Sequence, residues 1–297
     1  MIKKQTPMVN PIGIMQGRLL SPIDERIQGF PVTDWQLEFS LARQAGLYCI
    51  EWIFEEPGQE QNPITSDLGI KEIEKLSKEH NIQVLSVCAD YYMTQRIILP
   101  DGQINKKIAN HFRWFIEQAK KLNIKYVVLP FVDSSSLSSP VEQKGLLVFL
   151  EESLSFLEEV NIEVHLETDF SPKVFKSILD RLDHPLVCVN YDIGNSASLG
   201  YNPEEELSMI APRLGSVHVK DRILGGSTVP LGQGNADFQT CFKLILESGF
   251  DRWFILQAAR QTNLNEIDLA IHNRCFIKNY IQSITSADKH LTKQKNL

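Results

Sequence analysis

No run in this chain approaches the roughly 18 consecutive apolar residues that a membrane-spanning helix needs. The N-terminal stretch from Met1 to Pro7 carries Lys3 and Lys4 with no apolar segment behind them, so it does not read as a secretion signal. Cysteine is sparse: Cys49, Cys88, Cys188, Cys241 and Cys275 are odd in number, far apart and never in a CxxC pair. That argues against a disulfide framework or a thiolate zinc site. Four of the five lie in apolar or amphipathic runs and read as reduced, buried thiols of a cytoplasmic protein. A basic stripe is missing too. Thirty Lys and Arg stand against 37 Asp and Glu, for a formal charge of -7 and a pI near 5.6, and the cations are scattered. Nucleic acid and membrane surfaces are therefore poor partners. No Pro/Gly-rich linker, charge block or low-complexity tract interrupts the chain before a polar tail at 286–297, which leaves one domain over 1–285.

What is present is a rhythm. The 297 residues are 43% hydrophobic, enough for a large core. Short β-branched or apolar runs begin near Ile12, Tyr48, Ile82, Lys125, Glu163, Val187, Gly215 and Trp253, eight in all. Between them lie amphipathic stretches at 34–45, 70–80, 105–122, 142–160, 172–182, 203–210, 238–247 and 264–284. Thr33 with Asp34, and Ser171 with Pro172, mark helix starts, while Gly46 and Gly249 mark ends. Eight βα repeats predict an α/β protein of the (β/α)₈ TIM-barrel class. A doubly wound open sheet is the competing architecture, and the count of eight disfavours it.

In such a barrel the active site lies at the C-terminal ends of the strands. Strand five ends in Glu167, strand six in Asp192, strand seven in His218 and strand eight in Gln257. Any one of these alone is an ordinary polar strand end. On successive strands at equivalent depth, two carboxylates, an imidazole and an amide oxygen predict a site for one divalent ion, Mn²⁺, Mg²⁺, Co²⁺ or Zn²⁺.

Three runs then bring a family into view: Tyr191 to Ser196 (YDIGNS), Ser216 to Asp221 (SVHVKD) and Val229 to Phe238 (VPLGQGNADF). In order and spacing they resemble the sugar phosphate isomerase/epimerase superfamily of xylose isomerase-like TIM barrels. Within it the resemblance is to L-ribulose-5-phosphate (L-xylulose-5-phosphate) 3-epimerases. The likeness is strong over the second half; Ile12 to Ile14 and Cys49 to Glu51 are weaker anchors in the first. It implies a metal held by Glu, Asp, His and a second Glu, with the two Glu also moving protons. Carried over, metal binding falls on Glu167, Asp192 and His218, and catalysis on Glu167. The fourth position departs from the pattern: Gln257 can offer a carbonyl oxygen to the ion but cannot exchange a proton. Asn195 stands where many relatives have His, and keeps a polar substrate contact.

The implied reaction is proton transfer beside a ketose carbonyl, through a metal-bound ene-diolate, on a small sugar or sugar phosphate. Epimerisation is served by two ionisable groups flanking the carbon. With Gln257 in place of one, three readings stand. Another acid, Glu51, Asp90 or Asp221, takes its place; the enzyme is an aldose–ketose isomerase, which one base can serve; or the barrel binds a sugar without converting it. Two carboxylate ligands leave a divalent ion less neutralised than three, which favours an active site. Arg18, Glu51, Lys220, Arg222 and Arg260 are the further candidate substrate contacts, with the turn at Gly232 to Gly234 a weak phosphate motif. His165, two residues before Glu167, reads as a core histidine or as a donor orienting Glu167. Trp52, Phe54, Tyr91, Tyr92 and Met93 suit either a sugar pocket or core packing. The superfamily also holds abasic-site endonucleases, against which the negative charge and few histidines speak. Homo-oligomerisation is compatible with all of this.

Overall fold

Alternation along a strand decides which way each side chain faces. In EVHLET, VCVNYD and LGSVHV the apolar residues, Leu214 and Cys188 apart, fall on one parity (Val164, Leu166; Val187, Val189, Tyr191; Val217, Val219) and the polar ones on the other. Helices covering the outside of a sheet would bury the first set and leave the second around the barrel axis. The computed structural model, which describes residues 10–22 and 26–294, has this arrangement. Met1 to Val9, and with them the Lys3–Lys4 stretch, lie outside the described residues.

The strands are β1 (Ile12–Met15), β2 (Cys49–Ile53), β3 (Gln83–Cys88), β4 (Tyr126–Phe131), β5 (Glu163–Thr168), β6 (Val187–Asp192) and β7 (Leu214–Val219). A hairpin of β8 (Asp221–Arg222) and β9 (Thr228–Val229) follows, and β10 (Phe254–Leu256) is the last strand. All but the hairpin form a closed barrel in the order β1-β10-β7-β6-β5-β4-β3-β2, with the adjacent strands parallel. The expected class is thus the observed one, and the open sheet is excluded.

Register carries one inward set around the ring. Gly13 pairs with Ile255, Ile255 with His218, Asp192 with His218, His165 with Cys188, Tyr126 with Glu163, Ser86 with Tyr126 and Glu51 with Ser86. Outside lies the apolar layer, where Trp52 is wholly buried against Phe30, Trp35 and Phe39, and Phe54 stacks on Phe115 at 4.2 Å. These aromatics belong to packing between strands and helices, so the sugar-pocket alternative fails for Trp52 and Phe54.

The helices are α1 (Leu37–Gln44), α2 (Asp67–His80), the short α3 (Tyr91–Thr94), α4 (Lys106–Lys121), α5 (Pro140–Val160), α6 (Pro172–Leu182), α7 (Ile193–Leu199), α8 (Pro203–Ile210), α9 (Phe238–Glu247) and α10 (Glu266–Gln294). Pro172 sits in the first turn of α6 as expected. Asp34 does not open α1: residues 31–38 first make short-range turns, and the helix begins at Leu37. At the other end α10 runs to Gln294, past the boundary at 285 where a tail was expected. Among the described residues no helix is long and apolar enough to cross a membrane. All five cysteines are free.

Close packing explains one glycine beyond turn geometry. A Cβ on Gly215 would come within 2.6 Å of the His165 ring and of Cys188 Cβ, so only hydrogen fits where β7 crosses the polar interior.

Candidate metal centre

Because β5, β6 and β7 are neighbours and the inward parity is polar, Glu167, Asp192 and His218 are delivered to one place. A ligand atom from each lies within 4.8 Å of the others, and all three side chains are buried. His218 Nδ1 is 3.5 Å from Glu167 Oε2 and 4.0 Å from Asp192 Oδ2. Its far nitrogen, Nε2, is 2.6 Å from Glu51 Oε1, and neither side chain has any exposure to solvent. The imidazole is therefore clamped from behind by one carboxylate and faces two others. Burial works to lower its pKa, but Glu51 and Glu167 together outweigh that and raise it to about 10.

Glu167 is held at both oxygens. Asn195 Nδ2 donates to Oε1 at 2.7 Å and Asn190 Nδ2 to Oε2 at 3.1 Å. Burial pushes its carboxyl up, yet the hydrogen bond and charge of His218, with Lys220 beyond, bring it below the usual carboxylate range. Asn195 is itself anchored: its backbone N–H donates to Asp192 Oδ1 at 2.8 Å, making Asp192 the N-cap of α7, and Arg222 Nη1 donates to its Oδ1 at 2.9 Å. Lys220 Nζ lies 2.7 Å from Asp192 Oδ2.

Gln257 follows β10, and its backbone N–H donates to Val219 O at 3.0 Å, beside His218. Its Nε2 donates to Gln28 Oε1 at 2.9 Å, while its own Oε1 is buried with no hydrogen-bond partner. An orphaned amide oxygen and a knot of carboxylates balanced by a histidine and a lysine are what a divalent cation would satisfy. The donor set, all oxygen and imidazole nitrogen, fits a hard or borderline ion.

Other candidates fall elsewhere. Glu51 is wholly buried inside the barrel, with Oε1 on His218 Nε2. Arg18 donates to Ala258 O at 2.6 Å and to Gln28 Oε1 at 3.2 Å; burial first, then Arg260, lowers its pKa to about 9. Arg260 donates to Leu20 O and Gly17 O, both at 2.6 Å, and pairs with Glu266. Both guanidiniums brace the seam between the β1 loop and β10. Asp221 accepts the backbone N–H groups of Gly232, Gly234 and Ala236 at 2.8–3.1 Å. Those amides shape the turn around a carboxylate, which removes Asp221 as a free acid and Gly232 and Gly234 as a phosphate cradle. Lys220, Arg222 and Asn195 do gather at the site.

His165 is a satisfied core histidine. It stacks on Tyr126 at 4.0 Å, with Nε2 at 2.8 Å from Glu163 Oε2 and Nδ1 at 2.8 Å from Ser216 Oγ. Ser216 donates to Asn190 Oδ1 at 2.6 Å. Asn190, Ser216 and Gln28 escaped the sequence reading. Parity was the available signal for the first two, since each stands two residues before Asp192 or His218.

Residues 39–280 match the xylose isomerase-like TIM barrel family. An L-ribulose-5-phosphate 3-epimerase of Shigella flexneri is 22% identical over 240 residues, covering 77% of this chain and 83% of its own. An inosose dehydratase of Clostridium botulinum is 30% identical over 116 residues, only 32% of this chain and 39% of its own. Among solved structures, the IOLI protein with a bound zinc atom superposes with a TM-score of 0.70 at 18% identity, over 93% of this chain and 98% of that one. With a closed eight-stranded parallel barrel and a family match spanning most of its length, the chain belongs to the xylose isomerase-like TIM barrel family.

Proposed function

We propose that this protein is a divalent-metal-dependent isomerase or epimerase of a small sugar or sugar phosphate, working by proton transfer beside a ketose carbonyl. The observation that carries the reading is the convergence of Glu167, Asp192 and His218 within 4.8 Å at the strand ends. Glu167, Asp192, His218 and the free Oε1 of Gln257 would hold the ion. Bound there, it supplies the Lewis acidity that polarises the carbonyl and stabilises the charge left by proton removal.

The chain's own part is to keep a base ready and aimed. Glu167 accepts from Asn195 and Asn190, and those donors favour its ionised form and fix its plane. Glu51 holds His218 by Nε2, so Nδ1 is the nitrogen presented to the site. Lys220 and Arg222, beside Asp192 and Asn195, would meet anionic or hydroxyl groups of the sugar. The epimerase relative supports this reading, as does the zinc carried by the IOLI structure. The dehydratase match favours a second reading, in which the same proton removal is followed by loss of a neighbouring hydroxide. The free cysteines and small-molecule chemistry suit a cytoplasmic setting.

The test is solvent exchange. Protein loaded with Mn²⁺, Co²⁺ or Zn²⁺ is incubated in D₂O with ketoses, ketose phosphates and inososes, and deuterium is sought beside the carbonyl. Metal-dependent incorporation is expected, and Glu167→Gln should abolish it for every compound whose hydrogen faces Glu167. Tight sugar binding without exchange from any compound would leave a binding barrel instead.

A further inference from the structure

Moving a proton from one face of a carbon to the other takes two ionisable groups, and Gln257 cannot be the second. The acids around the mouth differ sharply in what they face. Glu167 and Glu51 face His218, Asp192 faces Lys220, Glu55 pairs with Arg26, Glu266 pairs with Arg260, and Asp221 is filled by three amides. Asp90, like Glu38, Asp169 and Glu206, enters no ion pair among the described residues, and of these four it is the one hydrogen-bonded to Gln28, the partner of Gln257.

Asp90 stands two residues past Cys88 at the end of β3, on the inward parity of Ser86 and Cys88. Its Oδ1 accepts from Cys88 Sγ at 3.1 Å, and its Oδ2 accepts from Gln28 Nε2 at 2.6 Å. Gln28 Oε1 in turn accepts from Gln257 Nε2 at 2.9 Å and from Arg18 Nη2 at 3.2 Å. One carboxamide thus spans from Asp90 to Gln257, offering an N–H to the acid and an oxygen to the amide. A sugar's hydroxyl and carbonyl groups have the same pattern of donors and acceptors.

We propose that Asp90 is the second proton carrier of this enzyme, acting on the face of the substrate carbon that Glu167 does not reach, with the sugar taking over the contacts of Gln28. This rests on the proton-transfer reading of the site. From one epimer Glu167 takes the proton of the C–H bond, and the electron pair moves into a C=C bond as the carbonyl oxygen becomes anionic. Asp90, protonated, then gives its proton to the opposite face of that carbon, and the carbonyl reforms. Glu167 ends protonated and Asp90 ionised, and exchange with water resets both; the other epimer runs the steps in reverse. The surroundings suit such a donor. Burial, with the nearby carboxylates of Glu167 and Glu55, pushes the Asp90 carboxyl up to about 6, within range of giving and taking a proton near neutrality.

The experiment uses both members of two C3-epimer pairs as probes, L-ribulose and L-xylulose 5-phosphates, and D-fructose and D-allulose, in D₂O with Mn²⁺-loaded protein. Wild type should interconvert at least one pair with deuterium entering at C3. Asp90→Asn should slow interconversion by roughly 100-fold or more. It should still wash deuterium into the one member whose hydrogen faces Glu167. Glu167→Gln should lose that exchange and keep the other member's. Mn²⁺ affinity of Asp90→Asn, by calorimetry, should stay within about twofold of wild type, since Asp90 touches no ligand residue. Adding Gln257→Glu to Asp90→Asn should restore interconversion in part. Unchanged interconversion in Asp90→Asn, equal loss of exchange from both members, or a fall in metal affinity would each overturn the assignment. A wild type inert towards both pairs overturns it as well, and in that case the proton-transfer reading is what has failed.

Discussion

Replacing Glu51 by Gln isolates the carboxylate behind the histidine. Gln can still accept from His218 Nε2 across the 2.6 Å contact, so geometry is largely kept while the charge goes. The consequences oppose each other. To offer Nδ1 to an ion, His218 must release a proton, and its neighbours raise its pKa to about 10 against the pull of burial. At pH 7 that proton competes directly with the ion. Wild-type affinity for Mn²⁺ or Zn²⁺ should therefore tighten by nearly tenfold per pH unit across roughly pH 7–9, one proton leaving for each ion bound. In Glu51→Gln the competing proton is held less tightly, so the slope should flatten from lower pH. The imidazole also loses the carboxylate that strengthens it as a ligand, which is typically worth 10- to 100-fold in affinity. At pH 9, where proton competition is small, the variant should be weaker by about that factor; at pH 6 the two should lie closer together. Chelator-competition titrations from pH 6 to 9 measure both slope and offset. Equal affinity and equal slope throughout would refute the role given to Glu51.

Three further outcomes follow from other contacts. Arg252 and His165 hold the Glu163 carboxyl down at about 2 against burial. Its stabilising contribution is thus full above about pH 4.5 and lost as pH falls towards 2, so Arg252→Leu should shift acid unfolding to higher pH and remove on the order of 2 kcal/mol near neutrality, read by circular dichroism. Gln257→Glu sets a carboxylate oxygen against Gln28 Oε1 and breaks the 2.9 Å bond, so the metal-free protein should melt lower, while a third carboxylate should tighten Mn²⁺ binding by about tenfold at low salt. Gly215→Ala drives a methyl into the His165 ring at 2.6 Å and should cost about 1–3 kcal/mol, seen as a lower Tm.

The barrel was legible because its cause is local. Alternating apolar residues such as Val187, Val189 and Tyr191 mark a face that only covering helices can bury, and eight such runs separated by amphipathic stretches leave few other closures. The convergence of Glu167, Asp192 and His218 was legible for the same reason, since parity and position at a strand end are properties of short segments. What the sequence did not disclose depends on contacts across the ring. Glu51 lies 167 positions from the histidine it holds, and nothing near Cys49 says whether its carboxylate points to substrate or to His218. Gln28 sits in a loop with no periodic pattern, yet it joins Asp90 to Gln257. Arg18 and Arg260 looked like phosphate ligands because cations after strands often are; their bonds to Ala258, Gly17 and Leu20 carbonyls exist only once β1 and β10 meet.

The substitution at 257 and the environment of Asp90 bear on one another. A site that needs one carboxylate ionised and another protonated must push their pKa values apart. Here Glu167 accepts from Asn190 and Asn195 and faces His218, all of which favour its charge. Asp90 has a thiol and an amide as hydrogen-bond partners and no ion pair among the described residues, and burial with the negative charge of Glu167 and Glu55 favours its neutral form against the attraction of Arg18. A glutamate at 257 would add a further carboxylate beside Gln28 and deepen the repulsion on that side. It would also bring the ligand charge to minus three around a divalent ion. With Gln257 the ligands carry minus two, so an ion keeps more of its pull on an anionic substrate state, and the proton that an epimerisation still requires can reside on Asp90. On this account the neutral residue at 257 does not remove the second acid from the barrel; it goes together with placing that acid just past the end of β3.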